Sequence, residues 1–598
     1  MGSQQVSWKL EAGNEWVAHD PFGRVKSSDV SETSCPVQAN GQLRLSAARN
    51  AYASFRLWVT GSGSYRLAID VDGAIEVDLF RAWYHKLSEP AAQRTGASGW
   101  FVDALVPEQP DAVKTLPDPD NAVGHQTQQE YWVDLFVPAD APPGSTRGKV
   151  VLEADGKQIE LPLVVQVLEA VIPDDDAIIC DHNSYGCRWL TDMYPDALAR
   201  CDDEQARWDR AIELLHHYYR ICHEHRGHFS NLGAGHAGTF DPIYGPQTRL
   251  AGRDKSLEGW EWFDRHYGPL LDGSALAAAF PGAARARRSA RCVWGVYTPI
   301  SVDWPADYLS WGQPGYEVEF TRCVGQFDEH FRRNGWLTTH PLFFFNHKKR
   351  YRWYEWDGDE PKYPTDDKYF IEMGRLFKAA VGDTPVPWLY RMDASWQMQR
   401  HFELLAGMVN FWVCNTFSRW YPDELAAVAA RGDVVWTYSG TPGVADTSSA
   451  LLEYVWRTWG RGIHGHCEWL TVAPGPDPWF DCNGAETGMI YPGERFGVAG
   501  PIPSVRLKLQ RNAVQDINLI DARARAAGKL DEVRADLTRR VPVSLFERPP
   551  KVVEQQPPEQ WDSRDLADSP DANMTAHAAL DPLWWAPIRQ AALGKEGK

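Results

Sequence analysis

The sequence predicts a multidomain chain: an N-terminal all-β sandwich, then a (β/α)8 TIM-like barrel, then a C-terminal extended or helical arm. Three observations predict it. The first part alternates apolar and polar positions at the period of strands. The long middle part switches to short apolar runs separated by amphipathic helical stretches. The end becomes charged and proline-rich, with Pro549-Pro550 and Pro557-Pro558. The expected limits are residues 1–172, 173–525 and 526–598, and a chain of 598 residues is too long for one small core.

In the first part, Ala53-Ser54-Phe55-Arg56-Leu57-Trp58-Val59 and Tyr131-Trp132-Val133-Asp134-Leu135-Phe136-Val137 read as half-buried strands. Gly148 to Val167 reads as a hairpin turning at Asp155-Gly156, and Pro107 to Gln128 as a long surface loop. Asp174-Asp175-Asp176 marks the boundary. Beyond it, strands are expected at Ile178 to Cys180, Val293 to Thr298, Pro341 to Phe345 and Trp388 to Met392. Three more are expected at Val409 to Val413, Val434 to Tyr438 and His466 to Leu470. Helices are expected at Glu204 to His225, Val318 to Asn334, Lys368 to Ala380, Ala450 to Trp459 and Val505 to Ala522. No GxGxxG or GxxxxGK[ST] loop favours a doubly wound nucleotide-binding sheet instead. Leu583-Trp584-Trp585 is the expected anchor of the arm.

Hydrophobic content of 43% and charged content of 24% describe an ordinary globular protein. With 61 basic and 80 acidic residues the net charge is −19, and no basic stripe stands out, so nucleic acid and anionic membranes are poor partners. No apolar run reaches the ~18–20 residues of a membrane span, and Met1 to Gln5 carries no signal-like segment. Ten cysteines without CxxC pairs read as buried free thiols, which favours the cytoplasm. A homo-oligomer is left open. His223, His225 and His228 fall near a helix end, and His464 and His466 flank Gly465. Neither group has a ligand spacing, so no metal and no cofactor is expected.

The residues with most chemistry are Asp359-Glu360-Pro361, after the apolar run Pro341-Leu342-Phe343-Phe344-Phe345-Asn346. Acids between a buried strand and its helix lie where parallel barrels keep their active sites. The 28 Trp and 22 Tyr offer faces for pyranose rings, so a sugar is the first candidate substrate. The competing structural reading is a helix N-terminus, where acids and proline are both favourable. The polar insert His347 to Asp357 separates strand from acids, and a hairpin there would displace them from the mouth. Glu468 and Asp393 are second carboxylates, or else hydroxyl ligands or loop-anchoring groups. Asn183 and Asn346 are hydrogen-bonding candidates at strand ends, Tyr438 a donor or ring platform, and Trp469 and Trp479 platforms at the cleft.

Gln129-Glu130-Tyr131-Trp132-Val133-Asp134 with Val137-Pro138-Ala139-Asp140-Ala141-Pro142-Pro143-Gly144 resembles the sandwich segment of glycoside hydrolase family 123. Relatives known only as domain-of-unknown-function family 4091 share the resemblance. It continues through Asp264-Arg265-His266-Tyr267-Gly268-Pro269-Leu270-Leu271-Asp272-Gly273, Asp359-Glu360-Pro361 and Tyr491-Pro492-Gly493. Gly500-Pro501-Ile502-Pro503-Ser504-Val505-Arg506-Leu507 and Gln515-Asp516 complete it. The resemblance implies polysaccharide or glycoconjugate degradation: retaining cleavage of β-N-acetylhexosaminides, N-acetylgalactosaminides in particular, with the substrate's acetamido group as nucleophile. Glu360 would then protonate the leaving oxygen and Asp359 would orient the acetamido N–H. The alternatives are a glycosidase for sugars without that group, using Glu360 with Glu468 or Asp393, a lyase for acidic polysaccharide, or a catalytically silent carbohydrate-binding protein.

Overall fold

A computed structural model of the chain describes residues 7–26, 38–87, 98–109, 111–184, 189–231, 249–250, 256–278, 293–295, 314–344, 346–348, 356–361, 364–395, 398–415, 418, 421–445, 448–472, 477–480, 488–540, 589 and 592. The arm's expected anchor at 583–585 lies outside these residues.

Two sheets form the N-terminal sandwich. The first runs in the order Lys9–Asn14, Ala51–Thr60, Gln128–Val137, Glu76–Leu87, Gly99–Pro107. The second runs Gln38–Ala39, Gln42–Arg49, Lys157–Val171, Gly144–Ala154, Gly63–Val71, Lys114–Leu116. Phe55, Leu57, Tyr131 and Val133 of the first sheet share one core with Leu67, Val150 and Leu163 of the second. The predicted hairpin is present: Gly144–Ala154 pairs with Lys157–Val171, and Asp155 and Gly156 take the positive φ a two-residue turn needs.

Two expectations for the sandwich change. Pro107 to Gln128 is not a free surface loop, because Lys114–Leu116 pairs with Gly63–Tyr65 and Asp118, Asn121 and Gln126 are buried. The strands Ala51–Thr60 and Gln128–Val137 are buried almost throughout rather than on one face. Of their polar alternates, Ser54 and Asp134 meet Arg511 of a second body, while Arg56 and Glu130 pair with each other beneath the N-terminal segment at Glu15 and His19.

That second body is an eight-stranded parallel sheet. In chain order its strands are Ile179–Ser184, Gly227–Asn231, Val293–Gly295, His340–Phe344, Leu389–Ala394, Phe411–Asn415, Val434–Gly440 and Gly465–Trp469. In space they run second, first, eighth, seventh, sixth, fifth, fourth, third. The first strand thus pairs with the eighth, and the second and third have Cα atoms within 8 Å of one another, so the sheet curls round on itself. A helix follows each strand: Glu204–Glu224, Trp260–Leu271, Tyr316–Asn334, Pro364–Val381, Met398–Leu404, Pro422–Ala430, Ser448–Gly460 and Val505–Ala526. Capping fixes several of these. Asp203 accepts from Ala206 N at 2.7 Å, and Ser504 accepts from Leu507 N at 3.0 Å. The chain stays helical past Asp521, with a further helix at Leu530–Arg540. None of the helices among the described residues is long and apolar enough to cross a membrane.

Inside the curl, Leu342, Leu389, Phe411, Val413, Trp436 and Cys467 pack as one cluster. Large and small residues alternate round it. Trp436 of the seventh strand sits opposite Gly465 of the eighth, and a Cβ at Gly465 would lie 2.6 Å from the indole nitrogen. Gly465→Ala therefore forces the buried ring aside. It is expected to cost about 1–3 kcal/mol, read as a lower urea midpoint with unchanged m.

The helix Val505–Ala526 joins the two bodies and is buried nearly all round although it is rich in charge. Toward the sandwich, Lys508 and Arg511 meet Asp134 at 2.6 and 2.8 Å, and Arg506 grips Asp103. Toward the parallel sheet, Gln510 donates to Glu468 at 3.2 Å. Charged side chains at these depths are tolerated because each meets its partner.

Candidate active site

Strand alternation decides which side chains enter the curl. The face that carries Leu389 also carries Arg391 and Asp393, and the face of Phe411 and Val413 ends at Asn415. Trp436 is followed by Tyr438, and Cys467 by Trp469. These polar ends gather at the C-terminal edge of the sheet, the edge where βα loops build sites in parallel barrels.

The acids reach this edge by a clasp. After the fourth strand come Asn346, His347 and Lys348, and the chain is described again from Trp356. The carbonyl of His347 accepts from Gly358 N and from Asp359 N, both at 3.0 Å. Trp356 stacks on Tyr369 at 5.0 Å and meets the His347 ring edge-on at 4.6 Å, which pins the returning chain to the helix Pro364–Val381. The insert therefore leaves and re-enters at one point, and Asp359-Glu360 sits beside the strand end. The acids also stand ahead of the helix rather than in its first turn, which Asp366 and Asp367 occupy.

Lys348 Nζ lies 2.7 Å from Glu360 Oε2 and 3.2 Å from Asp359 Oδ2. Burial opposes its charge, yet Asp359 and then Glu360 hold the ammonium well above the usual lysine range. The other Glu360 oxygen accepts from the Tyr438 hydroxyl, which accepts in turn from Asn415 Nδ2 at 3.1 Å. Burial raises the Tyr438 phenol far above its ordinary value, with Glu360 and Asp393 adding to the effect, so it stays a donor. Glu360 has φ of 50°, the left-handed region that costs a side-chain-bearing residue ~1–2 kcal/mol. Such a conformation persists where contacts over-determine it, and it is enriched at functional sites.

Asp393 faces the same group. Arg391 holds it through Nε at 2.5 Å and a terminal nitrogen at 2.9 Å, and the guanidinium lies 4.2 Å from the centre of the Phe344 ring. Burial pushes the Asp393 carboxyl up to about 6; Arg391 works against this, while the charges of Asp359 and Glu360 add to it. Among the described residues, three carboxyl groups and two cations thus gather around one spot.

The remaining candidates divide. Trp469 is half-buried at the end of the eighth strand, on the inward face. Asn346 is buried, one residue before the His347 carbonyl that forms the clasp. Asn183 points inward, and its amide nitrogen is occupied: Nδ2 donates to Cys467 Sγ at 3.0 Å and to Glu468 O at 3.1 Å, tying the first strand to the eighth. Glu468 is a correction. It is 0% exposed and faces outward, with Oε1 against Gln510 and 3.3 Å from His466 Nε2, so it does not join the cluster. Trp479 is another: it packs among Trp83, Tyr491 and Phe496, 6% exposed, and offers no open ring face. Lys348 and Arg391 are the site residues that reading the sequence missed. A lysine two residues past Asn346 was the available signal.

Among solved structures, a family 123 glycoside hydrolase from Clostridium perfringens matches over 98% of this chain and 98% of its own, at a TM-score of 0.64 and 11% identity. This chain has the fold of that hydrolase. The fold accounts for the sandwich, the curled parallel sheet and the buried helix between them as one architecture. β-Glucuronidase 3 from Bacteroides uniformis covers 85% of this chain and 51% of its own, at a TM-score of 0.27 and 9% identity. A GH10 xylanase with a bacterial Ig-like domain, from termite gut, covers 65% and 91%, at 0.30 and 6%. No protein-family model and no curated protein matches the sequence.

Proposed function

We propose that this chain is a retaining glycoside hydrolase of family 123 type, acting on β-N-acetylhexosaminides with the substrate's acetamido group as nucleophile. One observation carries the reading: Asp359 and Glu360 return to the C-terminal edge of the parallel sheet and share Lys348, with Tyr438 on the far side. The fold supports it, and the Clostridium perfringens hydrolase of that fold is described in terms of glycolipid glycan hydrolysis. A glycoconjugate glycan is accordingly the substrate class. The same reading takes the eight strands as a closed (β/α)8 barrel within residues 173–525, between the sandwich of 1–172 and the arm of 526–598; the single circuit of strand order supports closure.

In this mechanism Glu360 gives its proton to the glycosidic oxygen as the bond from that oxygen to the anomeric carbon breaks. The acetamido carbonyl oxygen forms the new bond to that carbon, and Asp359 accepts from the amide N–H and balances the growing positive charge. Glu360, now a carboxylate, takes a proton from the water that opens the ring intermediate. Two adjacent carboxyls suffice because the second nucleophile belongs to the substrate. Asp393 and Tyr438 face the same space as hydroxyl and carbonyl ligands, with Asn346, Asn183 and Trp469 along its wall.

A panel of chromogenic β-glycosides tests the reading. N-acetylgalactosaminide and N-acetylglucosaminide should turn over at least ~10²-fold faster than the matching galactoside and glucoside, since loss of the acetamido group removes the nucleophile. Hydrolysis confined to sugars without that group would overturn it. Asp393 would then be the remaining second carboxyl at the edge, Glu468 being turned away.

A further inference from the structure

Away from the site, two buried carboxyls face each other where the sandwich meets the helix Val505–Ala526. Glu15, 4% exposed, follows the strand Lys9–Asn14, and Asp516, 5% exposed, lies on the helix. Buried carboxylates are costly without a cation, and two side by side repel each other. Their cation comes from the far end of the chain. Arg589 pairs with Glu15 through a terminal nitrogen and with Asp516 Oδ2 through Nε at 3.2 Å. Among the described residues no other cation pairs with either carboxyl. Burial pushes the Asp516 carboxyl up to about 7; Arg589 works against this, while the charge of Glu15 adds to it.

Ala592 repeats the arrangement three residues on. It is 2% exposed and packs with Ala48, Ala51 and Ile172 from the sandwich and with Leu519 from the helix. Its carbonyl accepts from Arg523 Nη1 at 2.6 Å. Each of these two residues of the C-terminal segment thus touches the sandwich and the helix at once.

We propose that the segment carrying Arg589 and Ala592 is a latch across this joint, whose guanidinium holds the joint closed by neutralising Glu15 and Asp516 together. The latch is independent of the reaction assigned to Asp359 and Glu360. Arginine suits the task because its planar fork can meet two carboxyls, where an ammonium is a single point. The first half of the helix is held otherwise, by Arg506 on Asp103 and by Lys508 and Arg511 on Asp134. Those cations belong to the helix itself, so freeing the segment leaves them in place. The latch therefore governs local opening of the helix's second half and not unfolding of either body.

The experiment follows amide hydrogen exchange by mass spectrometry in the full chain. It compares wild type with Arg589→Met, Arg589→Lys, Ala592→Trp and the triple variant Glu15→Gln/Asp516→Asn/Arg589→Met. In Arg589→Met, exchange across residues 512–526 should rise at least ~10-fold, because two buried carboxyls have lost their cation. Exchange in the strand Phe411–Asn415 and in the strand Gly144–Ala154 should stay within ~2-fold of wild type. Arg589→Lys keeps the charge but not the fork, and should fall between wild type and Arg589→Met. Ala592→Trp overfills its small seat and should open the same residues of the helix. Neutralising both acids in the triple variant should slow exchange at least ~3-fold relative to Arg589→Met. Exchange unchanged in Arg589→Met, or raised equally in the helix and in both bodies, would overturn the inference. So would an opening that the triple variant does not relieve, since charge would then not be what the segment supplies.

Discussion

Glu360→Gln is expected to lower kcat on N-acetylhexosaminides by roughly 10²–10⁴-fold, the usual contribution of a positioned general acid. The change keeps side-chain volume and one acceptor oxygen, enough for Lys348 or Tyr438 though not for both, so the fold and the bound sugar should survive it. What disappears is the proton. A steady-state assay with alkyl glycosides, whose leaving oxygen needs protonation most, should show the full loss, and nitrophenyl glycosides a smaller one. Sugar affinity, measured by calorimetry, should change by less than ~10-fold, as expected when an interaction made only in the transition state is removed. Unchanged turnover in this variant would send the acid role to another residue, and Asp393 is the one with the geometry to take it.

The largest stability effect is expected at Asp134. Its carboxylate is fully buried between Lys508 and Arg511, with Ser54 donating at 2.6 Å, and it connects the sandwich to the long buried helix. Burial opposes its charge, but Arg511 and Lys508 hold the carboxyl well below the ordinary value of 3.8. Asp134→Asn leaves two buried cations facing a neutral amide and should cost about 3–5 kcal/mol in guanidinium unfolding. The pH dependence has a definite sign. A carboxyl whose folded-state value is depressed adds stability that is present above the unfolded value and lost as pH falls through the folded one. The gap between wild type and Asp134→Asn should therefore be full above about pH 5 and narrow only under strongly acidic conditions. A gap that stays constant down to pH 2 would mean that the charge of Asp134 is not what stabilises the interface.

Local patterns carried the strands and helices well. Runs such as Tyr131 to Val137 have the period of strands wherever they are packed, and the βα alternation from Ile179 to Ala526 follows from short apolar runs between amphipathic stretches. Burial of polar positions was not legible, because their partners are remote in sequence. Asp134 is 374 residues from Lys508, so its side of the strand reads as solvent-facing until the helix is docked. The same holds for Asp118, whose partner Arg81 lies 37 residues earlier and helps to turn an apparent loop into part of the sandwich. At the site, chain order placed Asp359 and Glu360 after the fourth strand, but whether the insert carried them away depended on two hydrogen bonds to His347 O. Glu468 failed for a simpler reason. Alternation puts Glu468 and Trp469 on opposite faces, and the sequence does not say which face is inward.

The most direct test of the account is a crystal structure with an N-acetylgalactosamine-derived thiazoline, which mimics the ring formed when the acetamido oxygen attacks the anomeric carbon. The bicyclic ligand is expected at the C-terminal edge of the parallel sheet, its ring nitrogen against Asp359 and its anomeric side toward Glu360. A ligand bound elsewhere, or seated there with neither carboxyl within hydrogen-bonding distance, would contradict it.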